Sequence, residues 1–96
     1  MSHDISQFAE AHAKAIASGE FDTALGDFSA EFAPKVPSMV PLLPEGLNAA
    51  EVLSIEMRGS DHVIRTRYDG STASATVEAV WREDGGRPKI VDAKFL

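Results

Sequence analysis

Few side chains in this 96-residue chain can move a proton or polarise an oxygen near neutral pH: three His, at positions 3, 12 and 62, one Tyr at 68, and a set of carboxylates. A His and a carboxylate that share one apolar cavity can act as general acid and base, because desolvation and a charged neighbour move their pKa values toward neutrality. The candidates for such catalytic roles are His12, Asp92 and Tyr68, with Asp92 or His12 as base and Tyr68 as the donor that polarises a carbonyl or enolate oxygen. Phe28, Phe32, His62, Thr66 and Trp81 are the candidate ligand-binding side chains. Each has a structural reading beside the chemical one. A lone His on a helix stripe is commonly a hydrogen-bonded core residue, and Asp92 lies near a chain end where strands fray.

Two helices and a sheet must position these groups. Ile5, Phe8, Ala9, His12 and Ile16 recur at helical spacing, with Asp4 placed to cap the start and Gly19 to stop it, so a helix is predicted over about 4–18. Phe21, Ala24, Leu25, Phe28 and Phe32 repeat that period until Pro34, predicting a second helix over about 21–33. Gly26 inside it costs about 1 kcal/mol relative to Ala, so this helix leans on tertiary contacts. Residues 34–48 hold four prolines among apolar residues and are expected to form an ordered, packed crossover. Its Pro-x-x-Pro spacings suit a polyproline ligand less well than they suit packing.

Beyond Asn48 the apolar period changes to two, and four strands over 50–95 are separated by Gly59-Ser60, Asp69-Gly70 and Gly85-Gly86. Two-residue loops of this kind are hairpin signals, so the C-terminal half is expected to be a four-stranded antiparallel meander. Two-residue turns place Met57 opposite His62, Ile55 opposite Ile64 and Leu53 opposite Thr66; they place Tyr68 opposite Ser71 and His62 opposite Val77. At Gly85-Gly86 the same rule sets Trp81 against Ile90 and Ala79 against Asp92, which turns Asp92 and Lys94 inward. A one-residue bulge in the last strand would instead turn Val91, Ala93 and Phe95 inward.

Nine basic against fifteen acidic residues give a net charge of −6, which argues against nucleic acid as a partner, since affinity there comes from clustered Lys and Arg. The acidity is concentrated in residues 1–50, which carry two Lys against seven acids, and this half can face a basic partner. Without Cys there is no disulfide or thiolate site, and an intracellular, cytoplasmic protein fits best. No basic stretch leads into an apolar run and no membrane-length apolar segment occurs, so neither a leader nor a membrane span is expected. The three His show no metal-ligand spacing, and neither a phosphate-binding glycine loop nor a hydrolase motif is present; no metal or cofactor is expected.

The order of two helices around Ser18-Gly19-Glu20-Phe21-Asp22-Thr23-Ala24-Leu25, followed by a meander that ends Val80-Trp81-Arg82-Glu83-Asp84-Gly85-Gly86-Arg87-Pro88-Lys89-Ile90-Val91-Asp92, resembles the nuclear-transport-factor-2-like superfamily, which includes SnoaL-like and ketosteroid-isomerase-like proteins. The resemblance implies an α+β cone, with helices packed on a curved four-stranded sheet. It also implies dimerisation through the outer sheet face, where Val52, Glu56, Val63, Arg65, Glu78 and Arg82 stand. This chain lacks the third helix and extra strands that usually wall the pocket, so a shallow or closed cavity is expected. It also has no motif onto which the family's catalytic residues map one by one. The expected function is a small ligand-binding or protein-interaction domain, a homodimer whose cavity holds a small apolar molecule or is simply filled. The alternative is a small isomerase- or cyclase-like enzyme that transfers a proton next to a carbonyl.

Overall fold

Asp4 supplies the acceptor that the first helix needs. In the computed structural model its carboxylate takes the Ser6 N–H at 3.1 Å and the Ser6 hydroxyl at 2.6 Å, and helix α1 runs from Ile5 to Ala17. Gly19, at φ 78°, provides the left-handed stop. The structure describes residues 4–96; Met1, Ser2 and His3 lie outside the described residues, and with them the His3 considered above. One side of α1 buries Ala9, His12, Ala13 and Ile16, and the two small residues let the helix lie close to the sheet.

The second helix is much shorter than its apolar spacing predicts: α2 covers only Phe21–Leu25. Gly26 is a poor helix former, and the chain after it finds better partners elsewhere. Ile90 N–H donates to the Asp27 carbonyl at 2.7 Å, Ser29 N–H donates to the Ile90 carbonyl at 2.9 Å, and Phe28 forms a parallel bridge with Ile90. Two backbone bonds on an otherwise open sheet edge thus replace helical ones. Phe28 and Phe32 still pack together, their rings stacked at 5.7 Å.

The proline-rich crossover is ordered and broken into three single turns: a 3-10 turn at Ala33–Lys35, a short helix α3 at Val36–Met39 and a second 3-10 turn at Val40–Leu42. Each has a proline in its first or second position, where the missing N–H has no helical partner to lose.

Strands β1 (Ala49–Arg58), β2 (Asp61–Asp69), β3 (Ser74–Asp84) and β4 (Arg87–Phe95) form an antiparallel sheet in that order, so the molecule is α+β. The first turn is as expected, with Met57 opposite His62 and Ile55 opposite Ile64. The second turn is longer. Asp69 pairs with Ser74, Gly70 N–H donates to the Ala73 carbonyl, and Tyr68, Thr66 and His62 stand opposite Ala75, Val77 and Trp81. The register moves by an even number of residues, so the same side chains face inward. The crossover sets this loop, because the Ser71 N–H donates to the Glu45 carbonyl at 3.0 Å.

Two bulges re-aim the outer strands. Leu53 is the extra residue in β1, and Val52 rather than Leu53 stands opposite Thr66 on the inner face. Val91 is the extra residue in β4: Ile90 faces Trp81, but Ala93 then faces Ala79 and Phe95 faces Val77. Ala93 and Phe95 therefore turn inward, whereas Asp92 and Lys94 turn outward. This corrects the inward placement of Asp92. The inner core joins Ala9, Ile64, Trp81 and Ile90 at one end to Ala13, Ile16, Ala24 and Tyr68 at the other. The outer face carries cross-strand ion pairs: Arg65 with Glu78, Lys94 with Glu78, Arg67 with Glu51, and Arg82 with Asp61. No helix among the described residues is long and apolar enough to cross a membrane.

Gly70 is where crossover and sheet come closest, since a Cβ there would stand 2.4 Å from the Glu45 carbonyl oxygen and 2.7 Å from Pro44 Cβ. Gly70→Ala is expected to lower the unfolding free energy by about 1–3 kcal/mol through overpacking, read from urea unfolding. An unchanged midpoint would contradict that close approach.

Candidate functional site

Between α1, α2, the crossover and the inner sheet face lies a cavity of about 460 Å³, a size ordinary for small-molecule sites. Its floor is made of buried side chains, among them Ala9, His12, Ile64, Tyr68, Trp81 and Ile90. Its mouth lies where the lining residues are exposed, at Phe21, Asp22, Leu25 and Val40. Val36, Pro37, Met39 and Leu43, all from the proline-rich crossover, complete the wall.

His12 is the most informative polar group in it. The side chain is 9% exposed, and its ring meets Phe28 and Trp81 edge-on, with centroids 5.2 and 5.7 Å away. Nδ1 lies 2.9 Å from Asp27 Oδ2, while the other Asp27 oxygen accepts from Arg87 Nη2. Burial alone would raise the Asp27 pKa, but hydrogen bonds from His12 and Arg87, together with their charges, outweigh it and hold the carboxyl below its ordinary range. An ionised carboxylate only accepts, so Nδ1 of the imidazole carries the proton. In the neutral ring Nε2 is then left with its lone pair. Arg87 is anchored in turn, its guanidinium 5.2 Å from the centre of the Phe8 ring.

Tyr68 and Thr66 add two hydroxyls from the inner face of β2. Among the described residues neither hydroxyl has a hydrogen-bond partner, and no buried side-chain polar atom is left unsatisfied. The two hydroxyls and His12 Nε2 are therefore not sealed off inside the protein, and all three residues line the cavity. Burial pushes the Tyr68 phenol well above its usual range, which keeps it a hydrogen-bond donor at neutral pH.

Of the residues proposed from sequence, His12, Tyr68, Phe28, Thr66 and Trp81 line this one cavity. Phe32 lies behind Phe28 and His62 is half-buried farther along the inner face; neither lines the cavity. Asp92 is exposed on the opposite sheet face, where its carboxylate accepts the N–H of Ala93, so it cannot act as a base in the cavity. Sequence reasoning missed Asp27 and Arg87. The signal available for Asp27 was its place directly after Gly26, where a helix can end; Arg87, sixty residues away, offered none. Among the described residues no group of three or more His, Asp or Glu is arranged to hold a metal ion. Comparison with family models, curated proteins and solved structures finds no match to the chain.

Since Asp27 is held below the ordinary carboxylate pKa of about 3.9, its pairing contributes stability that is complete above that value. The contribution is lost as the pH falls through the lowered native pKa. Asp27→Asn is expected to destabilise the fold by about 2 kcal/mol at pH 7 and to weaken the acid-side fall in stability, followed by urea unfolding from pH 7 to 2. Parallel curves for the two proteins would contradict the assignment.

Proposed function

We propose that the cavity binds a small, largely apolar molecule and that His12 transfers a proton on it, next to a carbonyl oxygen that Tyr68 holds. The observation that supports this most is the pairing of His12 with Asp27 in an otherwise apolar wall. Nε2 takes a proton from the carbon beside the carbonyl, and the electron pair of that C–H bond moves onto the oxygen. The resulting imidazolium is stabilised by the Asp27 carboxylate behind it, and the enolate oxygen by the Tyr68 hydroxyl. Return of the proton to a different carbon makes the reaction an isomerisation; return to the same carbon makes it an exchange.

The helices, the meander and the cavity between them also support the proposal that the chain is a shortened nuclear-transport-factor-2-like protein. For the outer face we propose a second copy as partner, because paired charges of both signs around Val63 and Val80 can meet their own two-fold image. A monomer by analytical ultracentrifugation at high concentration would contradict that. The lack of cysteine supports a reducing compartment such as the cytoplasm.

The proton-transfer reading is tested with 2-tetralone in deuterated buffer, with binding followed by Trp81 fluorescence and exchange by NMR. The protein is expected to accelerate exchange beside the carbonyl, and His12→Gln to lower that acceleration by about 10²–10⁴-fold. Asp92→Asn, on the other sheet face, is expected to leave it unchanged. Exchange at the buffer rate despite binding, or an undiminished rate in the His12 variant, would contradict the reading.

A further inference from the structure

The cavity has a carboxylate at its mouth, and the lining side chain that can become cationic, His12, is already paired with the Asp27 carboxylate. No Lys or Arg lines it. Arg87 points away, toward Asp27 and Phe8, and Lys35, next in sequence to the lining residue Val36, sits 5.9 Å from the Phe32 ring. Asp22 is different: it lines the cavity, is exposed, and has no side-chain ion-pair or hydrogen-bond partner among the described residues. Beside it stands Phe21, a 38%-exposed aromatic ring, with Leu25 and Val40 completing an apolar rim.

These features discriminate between ligand charges. An anion drawn into an apolar cavity loses its water without gaining a Lys or Arg partner, must compete with Asp27 for His12, and meets the Asp22 carboxylate on entry. A ligand with an apolar body and a terminal ammonium group keeps that group at the mouth. There the group gains both the Asp22 carboxylate and the negative face of the Phe21 ring, and the body still fills the cavity.

We propose that the cavity selects an amine-bearing apolar molecule, with Asp22 as the residue that sets its charge preference. The proposal rests on the cavity being a small-molecule site and adds the chemical class of its ligand. It does not depend on His12 transferring a proton.

The test uses three probes of matched chain length, octan-1-amine, octan-1-ol and octanoate, titrated against the fluorescence of Trp81, which lies in the cavity wall and is the sole tryptophan. The amine is expected to bind tightest and octanoate weakest. Asp22→Asn is expected to reduce the amine-to-alcohol affinity ratio by about two- to fivefold, the range for a solvent-accessible ion pair. Glu56→Gln, which removes the same charge from the outer sheet face, is expected to leave that ratio unchanged. Octanoate binding as tightly as the amine, or a ratio that Asp22→Asn does not move, would overturn the charge preference while leaving the cavity a binding site. Failure of all three probes to bind would overturn both.

Discussion

Asp27 ties three parts of this architecture together. Its carbonyl accepts the Ile90 N–H, one carboxylate oxygen accepts from His12 on α1, and the other accepts from Arg87 at the start of β4. One residue thus joins a helix, the segment after α2 and the last strand. A half-buried carboxylate is tolerated only where its partners offset the lost hydration, and these two do so well enough to hold its pKa down. The carboxylate also orients the imidazole, so the residue that closes the sheet edge through its backbone prepares the polar group of the cavity through its side chain.

The rest of the site follows from how the sheet is aimed. Had β4 kept a plain alternation, Asp92 and Lys94 would project inward and an apolar wall would be lost. The extra residue Val91 turns the strand over and delivers Ala93 and Phe95 to the cavity. In β1 the extra Leu53 turns Val52 toward the core. Each bulge exchanges one residue of regular pairing for a change of face, and in β4 the result is an interior that holds one buried acid–base pair and two hydroxyls. Two of the three proline-containing turns, with Leu43 just after them, then wall the space with Val36, Met39, Val40 and Leu43.

Much of this was legible in the residues, for identifiable reasons. The α1 stripe placed His12 toward the sheet because helical period and burial coincide there. Thr66 and Tyr68 kept their inward face even though the Asp69-Gly70 turn is longer than two residues, because the register moved by an even number. Asp92 was misplaced because a bulge leaves no trace in apolar alternation: Ile90, Asp92 and Lys94 have the same spacing whether or not Val91 pairs. Phe28 and Phe32 fit a helical period that Gly26 and the bonds to Ile90 override. Asp27 escaped notice because its value lies in partners 15 residues before it and 60 after it, and local patterns carry no such information.

The coupling of His12 to Asp27 is the central claim, and the tautomer of the imidazole reports it directly. Nitrogen-15 NMR of the His12 ring, recorded where the imidazole is neutral, distinguishes a protonated Nδ1 from a protonated Nε2. The account predicts a proton on Nδ1, lost as the preferred site in Asp27→Ala, with Nε2 unprotonated and shifted when a ligand enters the cavity. A proton residing on Nε2 in the unaltered protein would contradict it.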